Sequence, residues 1–235
     1  MQKNLISISG SAGHGKDAVA RIIQWLLSGS GAGSIPLEEC VLDSNRYLDA
    51  WLYDNSGFEI KKFAGKLKEI ASILTGVPIH KWGDQEFKNE KMPYGWGMTY
   101  REFLQRLGTE AMRDNLHNDI WVNSLFIDYQ WYVIDWDEFG NETSGKYPNW
   151  IITDTRFPNE FKAIKERGGL MLKVVRTEKD SAGNRILSNH IRSAVHSSET
   201  ALEGYEFDHI IFNDDDIVEL AQKVKKILIK EGFLV

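Results

Sequence analysis

The segment Gly10-Ser11-Ala12-Gly13-His14-Gly15-Lys16-Asp17 constrains this chain more than any other, because it has the form G-x-x-x-x-G-K of a phosphate-binding loop. Just before it, Leu5 to Ser9 alternates Ile6 and Ile8 with serines and then breaks into glycine, as a buried strand entering a tight loop does. After Lys16, the residues Val19, Ile22, Ile23, Leu26 and Leu27 recur at helical spacing up to Ser28. The reading is a strand over 4–9, a loop over 10–15, a helix over 16–27 and a glycine-serine connection over 28–36. In that setting Gly10, Gly13 and Gly15 let the backbone wrap around phosphate with its N–H groups turned inward. Lys16 then spans the outer phosphates, and the start of the helix at Asp17 and Ala18 adds positive potential. Asp17 departs from the usual Ser or Thr, yet its carboxylate can still take Mg²⁺ directly or through water. His14 fills a position that the motif leaves open and reads as an exposed side chain.

Composition narrows the field. A chain of 235 residues with 42% hydrophobic and 26% charged residues fits one core with appended subdomains. Lys+Arg 28 against Asp+Glu 34 gives a net charge of −6, which disfavours a protein that coats nucleic acid. The single cysteine, Cys40, has no partner for an intrachain disulfide or a cysteine-based zinc site, which points to a reducing compartment. No apolar run approaches the length of about 18 residues that a membrane helix needs, and the N-terminus lacks a signal-like pattern, so the expected location is cytoplasmic.

Strand and helix signals alternate along the rest of the chain. Phe58 to Phe63 reads as a short strand, and Leu67, Ile70, Ala71 and Leu74 as a helix that stops at Gly76 and Pro78. Residues 80–100 look irregular, with Met92-Pro93-Tyr94-Gly95-Trp96-Gly97-Met98 as a structured loop. From Thr99 a helix is expected with Phe103, Leu104, Leu107, Ala111 and Leu116 on one stripe and Arg106 and Arg113 opposite it. Another helix starts near Asp119 and runs through Trp121. Residues 137–148 read as a surface excursion. Strands at 150–154, 170–175 and 209–212, with helices after Pro158 and from Ile217, complete a mostly parallel α/β sheet flanked by helices.

Asp154 ends the run Trp150-Ile151-Ile152-Thr153, at the carboxyl edge of a strand where a phosphate-loop enzyme often keeps an acidic residue. It holds Mg²⁺ through water, orients an acceptor, or merely caps the helix that follows. Hydrolases of this type usually put Glu next; this chain has Thr155, which favours transfer to an acceptor over hydrolysis. Arg101, Arg106, Arg113, Arg156, Arg176, Arg185 and Arg192 supply the guanidinium forks that donor and acceptor phosphates require. Arg106, flanked by Glu102 and Glu110, reads as a surface residue. The aromatics of 82–100 and Trp121, Trp131, Tyr132, Trp136 and Trp150 exceed what the core needs, and a nucleobase would stack on them.

Taken in order, Gly13 to Asp17, Phe63-Ala64-Gly65-Lys66-Leu67-Lys68, the segment Arg101 to Trp121, Asp154-Thr155-Arg156-Phe157-Pro158-Asn159-Glu160, His196-Ser197-Ser198-Glu199 and Phe212-Asn213-Asp214 resemble the bacteriophage-type deoxynucleoside monophosphate kinases. The Asp after the loop lysine recurs in that family and in the animal-type phosphomevalonate kinases. The resemblance implies a P-loop nucleoside-monophosphate-kinase fold, with a core over 1–36 and 149–235, a helical acceptor-binding insertion over about 37–148 and a lid over about 177–195. It implies ATP and Mg²⁺ as cofactors and a deoxynucleoside monophosphate as acceptor. On the donor side it implicates Gly10, Gly13, His14, Gly15, Lys16, Asp17, Ala18, Arg192 and Asn213, with Asp17 toward the metal. Lys66, Arg101, Gln105, Arg113, Asp119 and Trp121 belong to the acceptor, while Lys16, Asp154, Arg156 and Arg176 act on the transferred group. The expected partners are small molecules, with a homodimer as a further possibility. A kinase for another small phosphate ester and a nucleotide-hydrolysing switch are the rival readings.

Overall fold

Strand β1 (Leu5–Ser9) is buried along its whole length because two parallel neighbours enclose it, β5 (Asn149–Thr155) on one side and β6 (Leu170–Lys179) on the other. The structure, a computed structural model, describes residues 4–29, 35–43, 45–179, 185–187, 201–214 and 216–234. Beyond these central strands, β2 (Phe58–Lys61) runs parallel to β5, and β8 (His209–Asn213) runs parallel to β6. The parallel order is therefore β2-β5-β1-β6-β8, and β7 (Arg185–Leu187) adds an antiparallel pairing at the far end of β6. Every parallel strand delivers its carboxyl end to the same edge, the edge at which open α/β sheets bind ligands.

Side-chain alternation decides which helix meets which face. Ile6 and Ile8 join Ile151, Leu172, Val174 and Ile211 in one core with α1 (Lys16–Leu27) and the C-terminal helix α9 (Ile217–Lys230). Leu5 points the other way and meets Ile164 of α8 (Pro158–Glu166) around Gly169, where an added Cβ would lie 2.5 Å from Ile164 Cγ2 and 3.1 Å from Leu5 Cδ2. Two helices that sequence periodicity did not reveal, α2 (Leu37–Leu42) and α3 (Arg46–Ser56), hang on α1 through the buried Arg21. Its guanidinium donates to the carbonyls of Cys40 and Asp43 and to the Asp49 carboxylate, which is how a charged group survives in that interior.

The chain divides into two compact units, Met1–Lys61 with Trp131–Val235, and Lys62–Gln130. The second contains α4 (Ala64–Thr75), a 3₁₀ turn (Ile79–Gly83), α5 (Gln85–Asn89), α6 (Tyr100–Gln105), a π-helix (Arg106–Asp114) and α7 (Ile120–Phe126). Its core is aromatic: Trp82 is fully buried and meets Tyr100 edge-on at 5.6 Å, while Phe87 stacks on Tyr100 at 4.2 Å. Thr99 and Glu102 form a reciprocal cap at the start of α6, and the hydrogen bonds from Thr99 hold the Glu102 carboxyl below its ordinary range.

Three segments differ from the sequence reading. Residues 80–100, expected to be irregular, contain the 3₁₀ turn, α5 and a loop closed by the Lys91–Thr99 bridge, all organised by Trp82. The excursion at 137–148 is the turn and returning strand of a hairpin, β3 (Tyr132–Trp136) with β4 (Glu142–Lys146), whose register shifts conceal strand alternation. The helix from Thr99 changes type at Arg106. A π-helix closes its turns at i+5, so Phe103, Gly108 and Arg113 are buried at five-residue spacing. The expected stripe holds at Phe103, Leu104 and Leu107, which pack in one core, and is lost at Ala111 and Leu116, which are exposed. Among the described residues no helix is long and apolar enough to cross a membrane.

Burial sets the expected energetics. Ile151→Ala in the central sheet should lower unfolding stability by about 2–5 kcal/mol in a urea titration. Ile134→Ala on the exposed hairpin should change it by no more than about 0.5 kcal/mol. Equal losses would contradict this division between core and hairpin.

Candidate active site

The loop after β1 is shaped by contacts at which a side chain on glycine would collide. Gly10, Gly13 and Gly15 have φ of 151°, 79° and 95°. A Cβ on Gly10 would lie 2.4 Å from the Val174 carbonyl oxygen, and one on Gly15 would lie 2.5 Å from Asn213 Nδ2. Glycine at these two positions is therefore a packing requirement as well as a conformational one. Lys16 opens α1 and donates through Nζ to the Gly10 and Ser11 carbonyls at 2.7 and 2.8 Å, which holds its charge over the loop. Asp17 is exposed in the first helical turn, and Ala18 is half-buried behind it.

His14 is not the exposed side chain expected of it. It is buried, and its Nδ1 donates to the Val174 carbonyl at 3.0 Å. Its own carbonyl accepts from Asn213 Nδ2 at 3.0 Å. The loop is thus pinned to the middle of β6 and the end of β8. A backbone carbonyl has no sequence signature, so the Val174 half of this brace was invisible in the chain.

The residues expected to act on the transferred group gather at the same sheet edge. Asp154 is half-buried on β5, one residue before the Ser9–Thr155 pairing that precedes Gly10. Thr155 is buried and shares a 2.6 Å hydrogen bond with Ser7. Arg156 follows at the turn into α8, where its N–H and that of Phe157 donate to the buried Glu160 carboxylate at 2.8 and 3.1 Å. Arg176 is exposed on β6, directly across from Asn213. Arg192 and most of the expected lid fall outside the described residues.

The expected acceptor residues all lie in the unit Lys62–Gln130. Arg101 donates to Asn89 Oδ1 at 3.0 Å and to Gln85 Oε1 at 3.2 Å, neutral acceptors that orient it without cancelling its charge. Lys66 lies 3.6 Å from Asp128. Gln105 is exposed at the end of α6, and Asp119 immediately precedes α7. Arg113, placed by helical spacing opposite the apolar stripe, is buried instead, because the π-turn rotates it inward. Trp121 is buried, and its Nε1 donates to the Gly108 carbonyl of the π-helix at 2.9 Å. Gln85 and Asn89 had no signal of their own beyond their proximity to an arginine-bearing helix.

If Trp121 holds the π-helix through that bond, Trp121→Phe removes one hydrogen bond from the Gly108 carbonyl. The expected loss is about 0.5–1.5 kcal/mol in urea unfolding. An unchanged midpoint would remove Trp121 from the support of the π-helix.

Comparison with known proteins adds an independent line. The profile of the family described as deoxynucleotide monophosphate kinase matches residues 45–224. A protein of Acanthamoeba polyphaga mimivirus, named provisionally as a deoxynucleotide monophosphate kinase, is 29% identical over 186 residues, covering 74% of this chain and 85% of that protein. The deoxynucleotide monophosphate kinases of Enterobacteria phage T4 and Escherichia phage RB69 are 30% and 26% identical over 128 residues. Each of those matches covers 54% of this chain and 44% of the phage protein. The family match begins beyond the phosphate loop, so the donor side rests on its own geometry. This chain belongs to the deoxynucleotide monophosphate kinase family, whose members are phosphotransferases.

Proposed function

We propose that this family member transfers the γ-phosphoryl group of ATP to the phosphate of a deoxynucleoside 5′-monophosphate, giving a deoxynucleoside diphosphate and ADP. The observation that carries this reading is the braced loop, with Lys16 already drawn over the carbonyls of Gly10 and Ser11. Phosphoryl transfer asks little covalent chemistry of protein groups, so positioning and charge neutralisation supply most of the acceleration. Lys16 neutralises charge that develops on the transferred group. The amides from Gly13 to Lys16 hold the phosphate chain, while Arg156 directly follows β5 and Arg176 lies on β6 across from the last residue of β8.

Mg²⁺ is usually held by one or two carboxylates together with substrate phosphates. The exposed carboxylate of Asp17, next to Lys16, and the half-buried Asp154 at the end of β5 fit that donor set. When bound, the ion screens the negative charge of the phosphates. The rival hydrolytic switch is less well supported, because Thr155, following Asp154, is buried and engaged with Ser7. A carboxylate that would activate water is not at that position.

On the acceptor side, Arg113 and Arg101 are the proposed phosphate ligands. A guanidinium already buried has lost much of its hydration, so a dianionic phosphate gains more from it than from a solvated arginine. Arg106, exposed on the same π-helix, is the natural control.

Two measurements test the proposal. ADP formation should depend on added deoxynucleoside monophosphate, and Lys16→Ala should reduce it by about two to three orders of magnitude in a folded protein. Turnover that ignores the monophosphate would point to hydrolysis, and near-normal turnover in Lys16→Ala would remove the donor assignment. Separately, Arg113→Ala should weaken use of the monophosphate by at least about tenfold while ATP affinity stays near the parent value. Arg106→Ala should do much less. Equal effects would show that the acceptor phosphate lies elsewhere.

A further inference from the structure

The turn after β8 holds an ion pair in an unusual position for one of purely local use. Lys223 of α9 reaches back through Nζ to the Phe212 carbonyl at 2.8 Å and to Asp214 Oδ1 at 2.6 Å. The Asp214 side chain is fully buried, and that of Lys223 is 29% exposed. Screening by water is weak for such a pair, so its geometry is strongly held. Between the two anchors lies Asn213, the residue whose amide donates to the His14 carbonyl.

Planarity of the peptide bond links this anchor to phosphate. The carbonyl of His14 and the N–H of Gly15 belong to one planar trans unit and point in opposite directions. Holding the carbonyl on Asn213 therefore turns the Gly15 N–H away from Asn213. Asn213 also pairs with Arg176 across β8 and β6, so a shift of 212–214 would disturb the register next to the loop.

We propose that Lys223 and Asp214 are positioning residues for the triphosphate: they fix Asn213, and through it they aim the Gly15 N–H at a phosphate oxygen. This rests on the donor reading above and goes beyond it, because neither residue lies in the loop. The effect falls on ATP binding. A hydrogen bond made equally in the ground and transition states alters KM with little change in kcat. A pair that only stabilised the turn would alter unfolding and leave ATP binding alone.

The test is calorimetric titration with ATP of the parent, Lys223→Met, Asn213→Ala and the double variant, alongside steady-state kinetics well below each unfolding temperature. Lys223→Met should raise the Kd and KM for ATP by about tenfold, with kcat and the KM of the monophosphate within about twofold. In the Asn213→Ala background the same substitution should add less than about twofold, because its route is already cut. Should Lys223→Met fail to fold, Asp214→Asn, which keeps the side-chain shape, carries the same comparison. Unchanged ATP affinity in a folded variant, or fully additive effects, would overturn the proposal. A parent protein that binds no ATP would overturn the donor reading itself, a result distinct from failure of the brace.

Discussion

His14 is gripped twice, its ring by the Val174 carbonyl and its own carbonyl by the Asn213 amide. A loop in which every second or third residue is glycine has much conformational entropy to lose and few side chains with which to recover it. The two hydrogen bonds anchor the loop to strand residues that the sheet already fixes. Amides held in this way need little reordering to meet a ligand, and such preorganisation raises affinity. The arrangement depends on topology, since β5 and β6 run parallel to β1 and β8 runs parallel to β6, which brings Asp154, Val174 and Asn213 to the edge where the loop begins.

The unit Lys62–Gln130 solves a different problem, the placement of a charged side chain in an interior. Its π-helix brings Arg113 under the surface at a five-residue step from Gly108, and Trp121 adds a hydrogen bond to the Gly108 carbonyl. Gly108 has its own steric reason, because a Cβ there would lie 2.7 Å from Leu67 Cδ2. Glycine, tryptophan and arginine thus form one local device, in which the glycine admits Leu67 and the tryptophan steadies the wide turn. π-Turns are common at functional sites. Here the turn accounts for the inward rotation of an arginine that ordinary helical spacing would leave in solvent.

The strand–loop–helix unit was legible because strand alternation, glycines and helical periodicity agreed from Leu5 to Leu27. Asp154 was legible for a related reason, since an apolar run ending in an acid marks the carboxyl end of a buried strand. His14 was misread because its partner is a main-chain oxygen distant in sequence. The helical placement of Arg113 was misread because a change from α to π alters the period without altering composition. The helices α2 and α3 escaped notice because their attachment runs through Arg21, a residue whose burial depends on three acceptors that no pattern reveals. Local signals were readable, whereas long-range hydrogen bonds that determine the local conformation were not.

The central claim is that the loop amides, aimed by their braces, receive the phosphates of ATP. Amide spectroscopy of the ¹⁵N-labelled protein tests it most directly, because an N–H that begins donating to a phosphate oxygen moves downfield. On titration with ATP, the Gly15 and Lys16 amide protons should shift downfield and saturate together with binding. A Gly15 amide that stays in place at saturating ATP, while resonances elsewhere move, would contradict the account.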